Sequence, residues 1–171
     1  IREVILEHKT LSRMGRLDTE SLLTLTDSAL ESGLSPVLQW DILCTESTFK
    51  NCIKLLDDLP LSRCAASRVQ DVGAAEWVRH ELPEIPIHFI AEAGNHNLTG
   101  LLRWHEYFGQ QLHRFALSSE LPISTLINYC RSLTVPCEIL AAGRILLFYT
   151  PRKLLGNYES SKDSFDFKEK R

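Results

Sequence analysis

The chain has 171 residues, 44% hydrophobic and 24% charged, with a net charge of −3. That is enough chain for one domain with a real core, and the charge supplies no overall drive toward nucleic acid or membrane. No apolar run is long enough to span a bilayer and no signal peptide is visible, so a cytoplasmic protein is expected. The sequence begins with Ile1 rather than Met and reads as a fragment or ordered portion of something longer.

In chain order, residues 2–7 (REVILE) read as a strand ending in Glu7 and His8. Residues 9–17 are a polar, basic connection containing Arg13 and Arg16. Asp18 caps a helix of about fifteen residues, with Leu22, Leu23, Leu25, Ala29 and Leu30 as its apolar stripe and Gly33 as its stop. Residues 34–40 (LSPVLQW) form the second strand, with Asp41 at its end. Thr45 or Ser47 caps the next helix, which carries Phe49, Ile53, Leu55 and Leu56 and ends before Pro60.

Residues 68–97 are the organising stretch. They hold a strand at 68–70, an acidic turn at Asp71-Val72-Gly73, a helix at 74–82 and a strand at 85–91 (IPIHFIA). The last of these is apolar almost throughout, as suits a strand buried on both faces, and polar groups appear only where each strand runs out. A helix follows Asn97, carrying Leu98, Leu101, Leu102, Trp104 and Tyr107 and ending at Gly109. Residues 113–117 (HRFAL) are a strand. Pro122 sits in the first turn of a helix reaching about Leu133, and 137–142 (CEILAA) is a strand. Residues 145–155 are apolar and open between strand and loop. The reading is one α/β domain over 1–158, with a charged tail at 159–171.

Six strands alternating with five helices predict a parallel sheet, with the strands at 68–70, 85–91 and 113–117 adjacent in that order. The fold class is α/β, a partial or incomplete TIM-type (β/α) barrel, since a complete barrel needs eight units. No phosphate loop, dinucleotide fingerprint, GxSxG or HExxH is present. The cysteines, Cys44, Cys52, Cys64, Cys130 and Cys137, form no CxxC and match no zinc spacing, so they read as buried structural thiols and no metal is assigned.

Several motifs occur in an order that resembles the collagenase-like peptidase U32 family. Its "DPG" turn corresponds to Asp71-Val72-Gly73, and its "IHLSTQANVTN" element to the run from Ile87 to Asn97. Its "S-EL" element corresponds to Ser119-Glu120-Leu121, and its "EVFVHGALCxxYSGRCLLSNY" element to the run from Glu138 to Tyr158. The region around Arg13, Arg16 and Asp18 is similar to "RARAGNFTLEEL". The family's "LAPAG" strand is absent. Leu146 and Lys153 stand where the family carries signature cysteines, and Ala142 where it carries histidine. The resemblance therefore implies no cofactor here, because Leu and Lys cannot replace the thiolates that ligate an iron–sulfur cluster in related members.

Carboxyl ends of parallel strands are where chemistry sits in such folds. The catalytic candidates are Asp71, Glu92, Asn95 and Glu120, of which Asp71 and Glu92 are expected at one sheet edge, close enough to share a pocket. The substrate-binding candidates are His8, Asp41, Arg144, Tyr149, Arg152, Asn157 and Tyr158. Tyr149, Arg152, Asn157 and Tyr158 match family positions, and Arg144 is a local substitution. The plainer reading of Asp71 is a turn residue, and of Glu92 a solvated one.

No Ser/His/Asp or Cys/His constellation supports proteolysis, and whether the chain is an enzyme stays open. The resemblance implies an accessory or catalytic component of oxygen-independent hydroxylation of RNA or quinone. The alternative is a cluster-free binding or scaffold module that docks a cluster-bearing U32 paralogue as a heterodimer partner, or RNA. In that alternative Arg144, Arg152 and Lys153 form a basic edge near Arg13 and Arg16.

Overall fold

A computed structural model describes residues 2–92 and 96–143. The chain alternates strand and helix: β1 (Glu3–Leu6), α1 (Thr19–Glu31), β2 (Ser35–Trp40), α2 (Glu46–Leu56), β3 (Ala66–Val69), α3 (Val72–Glu81), β4 (Ile87–Ile90), α4 (Leu98–Phe108), β5 (Leu112–Ala116), α5 (Ile123–Ser132) and β6 (Cys137–Glu138). The sheet order is β1-β2-β3-β4-β5-β6, and every pair is parallel. The expected adjacency of β3, β4 and β5 is what the structure has. Short helical crossovers leave sequential neighbours as the simplest arrangement.

Local chemistry explains the helix starts. Asp18 accepts from Ser21 N at 2.9 Å, Thr45 Oγ1 from Thr48 N at 3.3 Å and Asn97 Oδ1 from Gly100 N at 2.7 Å. Each satisfies one of the amide donors that a helix leaves open at its first turn. Gly33 follows α1 at φ +70, a conformation that costs a side-chain-bearing residue steric strain. The apolar stripe of α1 is narrower than the sequence suggests. Leu22, Thr26 and Ala29, one helical row at four- and three-residue spacing, are buried, whereas Leu25 and Leu30 flank that row and are exposed.

The helices cover the convex face of the sheet. Trp40 stacks on Phe49 with centroids 5.8 Å apart and meets Trp77 edge-on at 6.1 Å. Phe89 packs against Trp104, Phe108 and Phe115 at 5.3, 5.4 and 6.4 Å. Side chains of this size stabilise a core by about 2–3 kcal/mol each through burial alone. Leu6, Leu38, Val69 and Ile87 complete the layer from the alternate strand positions that face the helices.

The sheet curls into a half-barrel. In a flat sheet β1 and β5 would lie about 19 Å apart, at about 4.8 Å per strand. Yet Arg114 on β5 donates to both Glu3 carboxylate oxygens on β1, at 2.6 and 3.0 Å. Arg68 on β3 likewise reaches Glu138 on β6 at 2.7 Å. Only a concave face brings these side chains together.

Some boundaries and surroundings differ from the sequence reading. β3 starts earlier, at Ala66, and α3 begins at Val72, directly behind its Asp71 cap. β6 pairs over two residues only, and Ile139 and Leu140 beyond it are exposed. Cys52 is buried as expected, but Cys130 in the last turn of α5 is exposed, because Leu126 and Tyr129 take the core-facing row. The stretch 145–155 and the tail at 159–171 lie outside the described residues. No helix among the described residues is long and apolar enough to cross a membrane.

Candidate functional site

The carboxyl ends of β1, β2 and β4 are joined by one residue, Arg13. After β1 the chain forms a strap over the end of the sheet. Lys9 N donates to Leu17 O at 2.8 Å, and Leu11 and Ser12 amides donate to the His8 carbonyl at 3.0 and 2.9 Å. Gly15 is required there, since a Cβ would run into that same carbonyl. Leu11 is fully buried, and its carbonyl accepts from Asp41 N at 3.1 Å, which ties the strap to the end of β2. Arg13 then donates its backbone N–H and its Nε to the two Asp41 oxygens, at 2.8 and 2.9 Å, and Nη2 to Glu92 at 3.1 Å. The Arg13 and Asp41 side chains are 12% and 3% exposed, so this pair is largely out of water, while Glu92 at 41% faces the mouth.

Beneath Arg13, Gln39 Nε2 donates to Glu7 at 2.9 Å and to Asp41 at 3.0 Å. One neutral amide thus separates two carboxylates. Burial and the nearby Asp41 charge push the Glu7 carboxyl above its usual range. His8 is buried, with Nδ1 accepting from Thr10 N at 3.1 Å, and burial lowers its tendency to take a proton.

Deeper in the half-barrel each strand contributes one polar side chain. Strand register sets Gln39 beside Arg68, Arg68 beside His88 and His88 beside Arg114. Glu3 and Glu138 complete the set. Arg68 donates to Gln39 Oε1 and to Glu138, both at 2.7 Å, and Arg114 joins Glu3 to Glu138. Hydrogen bonding to Arg114 holds the Glu3 carboxyl below its usual range.

His88 lies in the middle of this set at 5% exposure, and burial together with the Arg114 charge pushes its pKa down to about 4. Its Nδ1 and the Nε of Arg68 are buried without a hydrogen-bond partner, as is Gln70 Oε1 at the end of β3. Each such atom costs about 1–3 kcal/mol.

The expected site residues therefore part company. Asp41 and Glu92 meet through Arg13, and His8 lies in the same strap. Asp71 follows β3, but its oxygens accept from Ala74 N and Cys44 N, both at 3.0 Å, which makes it the cap of α3 and an anchor for the β2–α2 loop. Glu120 is exposed, with its own N–H donating to Ser118 Oγ at 3.2 Å. Asn95, Arg144, Leu146, Tyr149, Arg152, Lys153, Asn157 and Tyr158 lie outside the described residues. Asp71→Ala is expected to lower stability by about 1–2 kcal/mol, as loss of a helix cap does. A urea midpoint unchanged from wild type would show that the cap contributes nothing.

Arg13, expected near a basic edge of Arg144, Arg152 and Lys153, pairs with two carboxylates instead of offering a free charge to that edge, whose own residues lie outside the described ones. One reading is corrected. The strand at Ile87–Ile90 is buried on both faces as read, but polar groups do not wait for the strand ends. His88 and its neighbours on the other strands occupy the concave face at mid-strand. The missed signal was a polar residue standing between core-facing neighbours in strand after strand: Gln39 between Leu38 and Trp40, His88 between Ile87 and Phe89.

The donor set does not fit a four-thiolate iron–sulfur cluster. Cys44 and Cys52 share a contact at the β2–α2 corner, which with burial drives the Cys44 thiol far up. Burial alone pushes Cys64 up to about 11, and its Sγ donates to Pro60 O at 3.7 Å. Cys130 and Cys137 neighbour each other on α5 and β6, with Cys137 pushed up to about 12 by burial. Three strands separate the two pairs, and no group of three or more His, Cys, Asp or Glu among the described residues is placed to hold a metal.

A parallel β/α half-barrel with an ionic concave floor and an arginine-strapped mouth defines the class of protein. The family model described as peptidase family U32 matches residues 8–165, and the chain belongs to that family. Nothing matched among curated proteins or among solved structures.

Proposed function

We propose that this chain is a U32 accessory component of oxygen-independent hydroxylation of RNA or quinone, one that binds rather than cuts. In this reading it pairs with a cluster-bearing U32 relative, which supplies the redox chemistry. The observation that carries the reading is the Arg13 strap. It fixes the ends of β1, β2 and β4 in one geometry by charge-assisted bonds and gives the mouth a preformed polar rim.

The described residues offer little to a protease. The Cys44, Cys64 and Cys137 thiols are pushed toward the protonated form, Cys52, which its contact with Cys44 shifts the other way, is fully buried, and the buried His8 and His88 make no bond to any of the cysteines. Docking of a protein is favoured over RNA, because Arg13, Arg68 and Arg114 are all engaged with carboxylates and leave less basic surface for phosphates.

The test is an anaerobic pull-down from native cells, read for proteins and RNA, alongside reconstitution of the isolated chain with iron and sulfide. Co-purification of a cluster-bearing U32 relative, with no stable cluster on this chain, is the expected result. A stoichiometric cluster that survives gel filtration, or turnover by the chain alone, would overturn it.

A further inference from the structure

We propose that Cys130 and Cys137 are a redox site, a dithiol that closes to a disulfide between α5 and β6 by exchange with a low-molecular-weight disulfide. The inference goes beyond the proposed function and does not depend on it. Only residues 131–136 separate the two cysteines. Cys130 stands in the last turn of α5, and Cys137 opens β6. Successive strand side chains point to opposite faces. Glu138 bonds Arg68 and Arg114 on the concave floor, so Cys137 points the other way, into the helix layer that contains α5. There it packs against the core, and the two thiols share a hydrogen-bond contact. The Cys137 Sγ also donates to the Val135 carbonyl at 3.9 Å, within the same short connection. Thiols already in contact need only a short closing movement to bond. Exchange must start at an accessible thiol, and of the five cysteines Cys130 alone is exposed.

The order of events follows from the two environments. Burial and the neighbouring Cys130 push the Cys137 thiol up to about 12, so Cys130 attacks first. Its thiolate attacks one sulfur of the small disulfide, which releases one thiolate and leaves a mixed disulfide on Cys130. That capping removes the charge that opposes ionisation of Cys137. Cys137 then gives up its proton and attacks the Cys130 sulfur. The protein disulfide forms, and the second small thiolate leaves. The two released thiolates take up the two protons that the cysteines lost. The protein has given two electrons to the small disulfide, which is reduced to two thiols.

Peptide mass spectrometry reads this directly. Trypsin cuts after Arg131, which puts the two cysteines on separate peptides that a disulfide would join. The folded chain is incubated with oxidised glutathione, its remaining thiols are alkylated, and it is digested without reductant. The wild type should give the Cys130–Cys137 peptide pair, and dithiothreitol should abolish it. Cys137→Ser should stop at glutathione on Cys130. Cys130→Ser should slow oxidation of Cys137 at least tenfold. The wild-type arm uses the unaltered protein, so the test survives a variant that folds poorly. A wild type that stops at glutathione on Cys130 would overturn the proposal. So would a Cys130 that stays reduced, a Cys137 that oxidises as fast in Cys130→Ser, or links from either cysteine to Cys44, Cys52 or Cys64.

Discussion

Asp41→Ala is expected to lose about 3–5 kcal/mol of stability, the usual cost of removing one partner of a buried ion pair. Asp41 accepts from Arg13 N, Arg13 Nε and Gln39 Nε2, so the substitution strands two Arg13 donors at the end of β2 and leaves Gln39 to Glu7. The strap would then be held there chiefly by Leu11, through its buried side chain and the amides that donate to its carbonyl. Asp41→Asn keeps an acceptor oxygen and should cost less. Replacing Arg13 and Asp41 together by leucine should cost less than the sum of the two single changes, because the double variant leaves neither charge unpaired. Urea unfolding of the wild type, Asp41→Ala, Asp41→Asn, the single variants Arg13→Leu and Asp41→Leu, and the double variant measures this. A change within about 0.5 kcal/mol for Asp41→Ala, typical of a surface position, would mean that the strap is not anchored there.

Acid should weaken the fold through His88, and the sign follows from its depressed pKa. The unfolded chain takes a proton on this residue below about 6.5, whereas the folded chain refuses it until about 4. The stabilisation is fully present above pH 6.5 and falls by about 1.4 kcal/mol per pH unit across that window. The total loss by pH 4 is about 3 kcal/mol. His8, also lowered by burial, contributes in the same sense, so His88→Leu should flatten the slope without abolishing it. Urea midpoints from pH 7 to 4.5 decide the matter. Parallel loss in wild type and variant would show that His88 is not the titrating group.

Much of the architecture was legible in the chain. Hydrophobic runs of strand length alternate with helical patterns, caps stand at Asp18, Thr45 and Asn97, and short crossovers leave sequential parallel pairing as the simplest order. The site was less legible. Asp71 and Asp41 look alike in sequence, each an aspartate just past a strand. Asp71 spends its oxygens on Ala74 and Cys44 amides, while Asp41 receives an arginine from twenty-eight positions earlier. Nothing local separates the two, because the partner that distinguishes them arrives only when the strap folds back.

The polar floor shows the same division. Period-two alternation in the sequence already determined that Gln39, Arg68, His88 and Arg114 would face away from the helix layer. What they face was decided by curvature. Glu3 and Arg114 are 111 positions apart and meet because six twisted strands close part of a barrel. The sequence by itself determined the elements, their order and which side chains share a face, since those follow from short-range sterics and periodicity. Only the tertiary structure decided which charges neutralise one another, that Arg13 turns inward and that His88 is held neutral, because those depend on through-space distances that curling of the sheet creates.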